Sequence, residues 1–272
     1  MLIAQITDTH IKLPGKLAYR KVDTAAMLRR CVQELVALSP QPDIVLLTGD
    51  LVDLGRPEEY DHLKSILAPI RQRIIAIPGN HDEREAMRDA FRGGGYLPAG
   101  GKFLQFAIDD YPLRLVGLDT LIPGQGGGEL CRERLDWLAR TLADKPEAPT
   151  LVMMHHPPFV TGIGHMDKIG LLGREAFADI VAKHAQIELI LCGHLHRTIH
   201  AQVGGRPAMT CPSPAHQVAL DIHPDAPSRF CMEPPGFMLH WWNDGQLVTH
   251  TAVIGDYEGP FPFFDADGKL ID

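Results

Sequence analysis

The stretch IIAIPGNHDE, residues 74–83, joins a run of strand-forming residues to a polar turn. The apolar run ends at a Pro-Gly pair, and Asn80, His81 and Asp82 then follow one another directly. Gly and Asn are common turn residues, so this stretch by itself is also typical of a simple surface loop. The interpretation depends on whether other predicted strands end in the same way.

Five predicted strands end on the same kinds of polar residue. Ligand sites of open α/β sheets lie at the carboxyl ends of the strands, so the sequence predicts that these side chains surround one pocket. The strands and the polar residues that follow them are 2–7 with Asp8 and His10, 44–48 with Asp50, 74–77 with Asn80 and His81, 151–154 with His155 and His156, and 187–192 with His194 and His196.

Each polar segment also has a purely structural interpretation. An Asp-x-His sequence after a strand often forms a turn that caps a helix, and His155 with His156 would also suit a hydrogen-bonded pair in the core. Those interpretations would have to hold independently at five strand ends. The combination therefore favours a shared chemical site.

Helix-period segments alternate with the apolar runs, which include a sixth at residues 113–118, and this alternation predicts the α/β class. After about residue 198 the pattern changes to short strands, with hairpin signals at Gly204-Gly205 and at residues 243–245. The C-terminal part is therefore expected to be β-rich. The predicted helices are residues 24–38, 57–67, 82–91, 132–142 and 174–184.

The length suits one large α/β domain or two small ones. Because the sequence shows no internal domain linker, we expect one domain over residues 1–272. Within it, residues 228–272 or thereabouts are expected to contribute lid or oligomer contacts, because they contain a hairpin and a tail with three Phe. This tail, together with the family similarity described below, predicts a homodimer or a higher homo-oligomer.

Charge and cysteine content limit which partners and which cellular compartment are expected. The formal charge is 26 − 34 = −8 without any basic run, so neither a nucleic acid duplex nor an anionic membrane is an expected partner. The N-terminus lacks a signal-peptide pattern, and five scattered cysteines suit reduced thiols, so we expect a cytoplasmic protein.

The donor set suits a two-metal site. Carboxylate, imidazole and amide groups together are typical ligands of Fe, Mn, Co or Zn. Two divalent ions roughly 3.5–4 Å apart need a bridging carboxylate and can hold both the attacking and leaving oxygens of phosphoryl transfer. Asp50 is the predicted bridge because it follows a Gly in the central strand and loop. Asn80 would supply a neutral oxygen, which leaves His81 free to meet substrate.

In order and spacing, five blocks resemble those of the calcineurin-like metallophosphoesterases. Two further stretches, GRPEEY (55–60) and AHQV (215–218), make the chain most similar to the class III cyclic nucleotide phosphodiesterases and, within them, to the bacterial metal-dependent glycerophosphodiesterase. The resemblance implies a four-layer α/β/β/α sandwich with a small lid and two divalent metal ions. The blocks are DTH (8–10), GDLVD (49–53), GNHD (79–82), MHHPP (154–158) and GHLH (193–196).

The resemblance also implies a role for each matching residue. His155 is preferred over His156 because the family ligand is the first residue of its block. For His156, a structural role and a substrate contact both stay open. The first metal would be held by Asp8, His10 and His196, Asp50 would bridge, and the second metal would be held by Asn80, His155 and His194.

The expected reaction is hydrolysis of small diesters, such as 3′,5′-cyclic nucleotides or glycerophosphodiesters, by in-line attack of a hydroxide held between the metals. Asp50, Asn80 and His81 form the implied catalytic set, and His81 would also bind substrate and protonate the leaving oxygen. His216 resembles a substrate-pocket residue, although it also suits a plain loop position. Whether His165 reaches substrate from a lid stays open.

Other functions on the same core are a phosphomonoesterase, a nuclease and a non-catalytic metal-dependent interaction module. The acidic charge balance disfavours the nuclease. The complete set of ligand residue types disfavours the non-catalytic module.

Overall fold

The computed structural model describes residues 1–271, which form fifteen strands and six α-helices. The strands are β1 (Leu2–Ile6), β2 (Ile44–Thr48), β3 (Arg73–Ile77), β4 (Phe106–Ile108), β5 (Arg114–Gly117), β6 (Gly128–Glu129), β7 (Thr150–Met153), β8 (Leu171–Leu172), β9 (Ile187–Cys192), β10 (Ile199–Val203), β11 (Arg206–Thr210), β12 (Gln217–Val218), β13 (Phe230–Cys231), β14 (Gly236–Asn243) and β15 (Gln246–Val253). The helices are α1 (Thr24–Ala37), α2 (Pro57–Leu67), α3 (Arg84–Phe91), α4 (Arg132–Asp144), α5 (Gly164–Asp167) and α6 (Arg174–Val181).

Two larger sheets pack face to face. The first contains five strands in the order β15-β14-β1-β2-β3, and the second contains six in the order β10-β11-β9-β7-β5-β4. Strands β1, β2 and β3 are parallel to one another, as are β5, β7 and β9. Between the sheets lies a buried apolar layer that includes Ile3 and Leu46 from the first sheet and Leu151 and Leu191 from the second.

Helices cover the outer face of each sheet. On the first sheet, Leu28 of α1 and Leu63 of α2 pack in one buried cluster with Val45. On the second sheet, Leu138 of α4 and Phe177 of α6 belong to the cluster that covers β7 and β9. The layers therefore follow the order α/β/β/α, and the predicted four-layer architecture is confirmed.

Local sequence signals explain where the helices of the first layer begin. The Asp23 carboxylate accepts a hydrogen bond from the backbone N–H of Ala26 (2.9 Å), which caps α1. Pro57 begins α2, and the Glu59 carboxylate accepts from the N–H of Leu54 (2.9 Å) just before it. These caps fix how the chain leaves the loops that follow β1 and β2.

Some predicted boundaries differ from the structure. Helix α3 begins at Arg84 and not at residue 82, because the Asp82 carboxylate accepts from the N–H groups of Gly79 (2.8 Å) and Leu51 (3.2 Å) and belongs to the turn. Strand β4 has no counterpart in the sequence prediction, since three residues are too few to show a period. Helix α5 forms within a Gly-rich loop, where the Asp167 carboxylate accepts from the N–H of Thr161 (2.8 Å).

The C-terminal part is β-rich, as predicted, and it completes the first sheet. Strand β14 pairs antiparallel with β1, and β15 pairs with β14 across the two-residue turn Asp244-Gly245. Both turn residues have positive φ (48° and 82°), the geometry that suits a tight hairpin. That residues 1–272 form a single domain stays a prediction, and Asp272 lies outside the described residues.

A chain of buried hydrogen bonds crosses between the sheets close to the ends of β1, β2 and β9. The side-chain amide of Gln5 donates to the hydroxyl of Thr48 (2.9 Å) and to the carbonyl of Cys192 (3.2 Å). Its oxygen accepts from Nε2 of His240 (3.1 Å), and Nδ1 of His240 accepts from the hydroxyl of Thr249 (2.8 Å). Burial keeps the His240 imidazole neutral within this chain of contacts, so that Nε2 donates while Nδ1 accepts.

Acid is therefore expected to destabilise the protein through His240. Burial lowers the pKa of His240 to about 3, whereas an imidazole in an unfolded chain has a pKa near 6.5. Between these values the unfolded chain binds more protons, so the free energy of unfolding decreases as the pH falls below 6.5. Between pH 7 and pH 5 the contribution lost is about 2 kcal/mol.

Urea titrations of the wild type and of His240→Gln at pH 7 and pH 5 measure this contribution. The variant is expected to show the smaller loss of unfolding free energy on acidification. Other buried histidines are common to both proteins and cancel in the difference. An equal pH dependence in the two proteins contradicts the assignment.

Candidate metal centre

Loops at the ends of parallel strands bring the seven predicted metal ligands to one end of the two sheets. Six of the seven residues are buried, with 6% or less of their surface exposed, and Asn80 is half-buried. The two sheets therefore share the construction of the site. The loops of the first sheet carry Asp8, His10, Asp50 and Asn80, and those of the second carry His155, His194 and His196.

Glycine allows these loops to approach one another closely. A Cβ atom at Gly49 would lie 2.4 Å from Nδ1 of His155, and one at Gly79 would lie 2.2 Å from Oδ1 of Asp50. Such distances exclude any side chain at either position. The glycines of the GD and GN segments thus let backbone pack directly against the predicted ligands.

Five of the seven residues have a left-handed backbone conformation. Residues outside glycine rarely adopt positive φ, and Asp and His are among the types that do so most readily. Such conformations cost roughly 1–3 kcal/mol each and concentrate at functional sites. The φ angles are 52° at Asp8, 42° at His10, 50° at Asp50, 70° at His194 and 54° at His196.

Four donor atoms converge at the first candidate metal position. Nε2 of His196 lies 3.3 Å from Oδ1 of Asp8 and 3.2 Å from Nε2 of His10. Nε2 of His10 lies 3.6 Å from Oδ2 of Asp50. Nδ1 of His196 donates to the carbonyl of His216 (3.0 Å), so Nε2 carries a free lone pair, as a metal ligand requires.

The same oxygen of Asp50 faces the second candidate position. Oδ2 of Asp50 lies 3.4 Å from Nε2 of His155, whose Nδ1 donates to the carbonyl of Thr48 (2.9 Å). His194 donates through Nε2 to the carbonyl of Ile169 (3.2 Å), which leaves its Nδ1 as the free nitrogen. Asp50 thus lies between both groups of donors, where a bridging carboxylate is needed.

Two buried polar atoms support the fit to metal ions. Oδ1 of Asn80 and Nε2 of His155 have no hydrogen-bond partner among residues 1–271. A buried polar group left without a partner costs about 1–3 kcal/mol, and coordination to a cation would remove that cost. The oxygen and nitrogen donors fit two divalent ions of the Fe, Mn, Co or Zn type. The assignment of individual ligands stays a prediction.

The two buried carboxylates, Asp8 and Asp50, give an electrostatic reason to expect cations at this site. Burial raises the pKa of Asp8 to about 7, opposed by His155 and reinforced by Asp50. Burial acts in the same direction on Asp50, but His155 and His81 outweigh it and hold the pKa of Asp50 well below its usual value. Cations bound here would offset the negative charge that these carboxylates concentrate.

His81 lies at the edge of this cluster and is held on two sides. Its Nδ1 donates to the carbonyl of Asp53 (2.8 Å), and its backbone N–H donates to Oδ1 of Asp50 (2.9 Å). Burial lowers the pKa of His81, but the Asp50 carboxylate and the Asp53 carbonyl outweigh burial and raise this pKa above 6.5. The groups that hold His81 therefore stabilise its protonated form relative to an imidazole in water.

Two cavities share Asn80 and His81 as lining residues. The polar cavity, of 560 Å³, lies among residues 53–54, 80–85 and 121–126. The aromatic cavity, of 380 Å³, is lined at one end by the predicted ligands His10, Asp50, His194 and His196. Its remaining wall includes Tyr19, His216 and Phe230, and also His165 and Met166 of α5.

The remaining predicted histidines differ in their surroundings. His216 is 2% exposed, and its Nδ1, like that of His165, has no partner within the described part of the chain. His156 instead accepts from the hydroxyl of Thr120 through Nδ1 (2.8 Å) and donates to the carbonyl of Gly126 through Nε2 (3.2 Å). Although its ring lies near His155 and His194, occupied nitrogens favour the structural role for His156.

Several residues around the site carried no signal of their own in the sequence. The rings of Tyr19 and Phe230 lie 5.0 Å apart and both contact His216, but more than two hundred positions separate them. Tyr60 donates its hydroxyl to Oδ1 of Asp82 (2.8 Å) and so supports the turn after β3. Its only sequence signal is its place in the GRPEEY stretch.

The family described as Calcineurin-like phosphoesterase matches residues 1–198. The chain therefore belongs to the calcineurin-like phosphoesterase family, as its motifs predicted. Members of this family use a dinuclear metal centre, and the chain is a metal-dependent hydrolase. Both the predicted family and the predicted enzyme class are confirmed.

Relatives that match over nearly their full length have names that state a particular phosphodiesterase activity. The chain is 42% identical over 274 residues to a protein of Arcobacter nitrofigilis named "Probable glycerophosphodiester phosphodiesterase GpdQ", with 100% of both chains covered. It is 32% identical to the glycerophosphodiester phosphodiesterase GpdQ of Enterobacter lignolyticus, covering 96% of this chain and 94% of that protein. It is 31% identical to the 3′,5′-cyclic adenosine monophosphate phosphodiesterase CpdA of Escherichia coli, covering 93% and 90%.

Among solved structures, a dimetal phosphatase from Danio rerio superposes with a TM-score of 0.66 at 15% identity. The superposition covers 94% of this chain and 97% of that one, and at such low identity it supports the fold alone. Within residues 1–271, every helix is too short or too polar to cross a membrane.

Proposed function

We propose that the chain hydrolyses small phosphodiesters, either glycerophosphodiesters or 3′,5′-cyclic nucleotides. The observation that carries this proposal is the convergence of seven oxygen and nitrogen donors from two sheets, with Asp50 between the two groups. The names of the full-length relatives, glycerophosphodiester and cyclic AMP phosphodiesterases, support the substrate class.

In this proposal each group of donors holds one divalent cation. The cations, when bound, supply Lewis-acid activation of water and of the phosphoryl oxygens. The chain fixes where they bind, because hydrogen bonds to Thr48, Ile169 and His216 orient the imidazoles. Asp8, His10 and His196 would hold the first cation, Asn80, His155 and His194 would hold the second, and Asp50 would serve both.

In this proposal His81 supplies the proton for the leaving oxygen and a positive charge close to the phosphoryl group. Its protonated ring offsets negative charge on the phosphoryl oxygens, and it gives its Nε2 proton to the departing alkoxide as the P–O bond breaks. The products are an alcohol and a phosphate monoester. His216 stays neutral, because burial lowers its pKa to about 3, and it binds the substrate by hydrogen bonding alone.

We also propose a cytoplasmic homo-oligomer. Within residues 1–271 all five cysteines are free thiols, which suits a reducing compartment. Phe261, Phe263 and Phe264 are between 57% and 78% exposed in the C-terminal tail, where a second copy of the chain would cover them. Light scattering at micromolar concentration is expected to give at least twice the mass of one chain, and a monomer contradicts this part of the proposal.

A substrate panel on protein reconstituted with Mn²⁺, Co²⁺, Zn²⁺ or Fe²⁺ tests the activity. We expect turnover of glycerophosphoethanolamine or cyclic AMP, and faster turnover of bis(4-nitrophenyl) phosphate than of 4-nitrophenyl phosphate. Faster hydrolysis of the monoester would favour the phosphomonoesterase, and preferred hydrolysis of a linear dinucleotide would favour the nuclease. Protein stripped with a chelator is the control, and its full activity would contradict metal-dependent hydrolysis.

A further inference from the structure

The two cavities adjoin each other at the candidate metal centre. Asn80 and His81 line both cavities, and both residues belong to the proposed catalytic set. A group held at this junction can extend into the polar cavity and into the aromatic cavity at once. A linear phosphodiester has this form, since its two alcohols leave the phosphorus in different directions.

The polar cavity suits an alcohol that carries hydroxyl groups and no negative charge. Its lining includes the carboxylates of Glu83 and Glu85 and the amide of Gln125. The one guanidinium in its lining, that of Arg84, is already bound, because it donates to the Asp119 carboxylate (2.7 and 2.9 Å). An anionic group would therefore meet repulsion there without a free cation to bind it.

The aromatic cavity suits a flat or apolar group. Tyr19 and Phe230 pack around His216, with ring centroids 5.2 and 5.3 Å from that imidazole. Met166 and Ile169 continue the apolar wall. The buried Nδ1 of His216 offers one hydrogen-bonding group to a ligand placed among these rings.

We propose that the two cavities bind the two ester arms of one linear diester, the polar cavity taking a hydroxylated, non-anionic alcohol such as a polyol. This inference rests on the proposed diesterase function. A cyclic nucleotide has both ester oxygens on a single ribose and fills only one cavity. The polar cavity is thus a determinant of preference for linear over cyclic diesters.

Two diesters with the same leaving group test the inference, the 4-nitrophenyl esters of glycerol phosphate and of methyl phosphate. Only the glycerol ester has a second large arm. Gln125→Trp and Leu54→Trp each fill the polar cavity from a different loop, and each is expected to lower the kcat/KM ratio of glycerol to methyl ester on the order of tenfold. Ser65→Trp, which adds the same side chain on the exposed face of α2 outside both cavities, is the matched control.

Met166→Trp fills the aromatic cavity and is expected to lower kcat/KM for both esters alike, because they share the nitrophenyl group. An unchanged ratio in both polar-cavity variants overturns the inference, as does an equal fall of the ratio in Met166→Trp or Ser65→Trp. If the wild type hydrolyses neither ester, the diesterase function itself is wrong. This outcome differs from an unchanged ratio, which contradicts only the assignment of the cavities.

Discussion

Asp50→Asn is expected to lower kcat by more than about 100-fold and to release at least one of two bound cations. Loss of groups that only orient metal ligands already costs about 10–100-fold, and Asp50 faces both groups of donors directly. The amide keeps the size of the side chain but loses the negative charge that a bridging ligand supplies.

Metal content after equilibrium dialysis, measured by mass spectrometry beside steady-state kinetics, checks this result. Asp61→Asn, on the exposed face of α2, is the matched control and is expected to retain both cations. Two bound cations in Asp50→Asn, with activity near that of the wild type, would remove Asp50 from the bridging position.

His81→Ala is expected to lower kcat by about 10²–10⁴-fold while both cations remain bound. The imidazole is held by the Asp53 carbonyl next to the metal positions without being one of the seven predicted ligands. The loss should therefore fall on proton transfer and charge stabilisation. It should be smaller for substrates with a good leaving group, such as 4-nitrophenolate, which needs no proton.

The comparison of a 4-nitrophenyl diester with a glycerophosphodiester measures that difference. His200→Ala, an exposed histidine of β10, serves as the control for general effects of losing an imidazole. Equal losses on both substrates would argue against proton donation by His81, and a loss of metal from the variant would assign His81 to the ligands.

Much of the fold was predictable because its elements are marked locally. Strands β1, β2, β3, β7 and β9 are mostly apolar, and α1 and α2 begin at a capping Asp and at Pro-Glu-Glu. Strands β4, β6, β8, β12 and β13 have two or three residues each, too few to show a period, and β6 pairs with β8, which lies more than forty positions further along the chain. No window of sequence contains such pairings.

For the candidate site, too, one part was predictable from the sequence and another part was not. Its proposed ligands were visible because each one follows a strand whose end the sequence marks. The surroundings of those ligands were not visible, because they depend on contacts between distant segments. His156 acquires its structural role from Thr120 and Gly126, and the aromatic cavity joins Tyr19 to Phe230.

Five proposed ligands have a left-handed backbone that lowers stability but is needed to place a donor atom. They are Asp8, His10, Asp50, His194 and His196. Glycine at any of these positions would relax a conformation that costs an L-residue about 1–3 kcal/mol, yet it would delete a donor atom. A search for more heat-resistant variants of this enzyme would therefore tend to select inactive ones at these five positions. Thermal robustness is better sought in the helices and in the exposed C-terminal tail, which carry none of the proposed ligands.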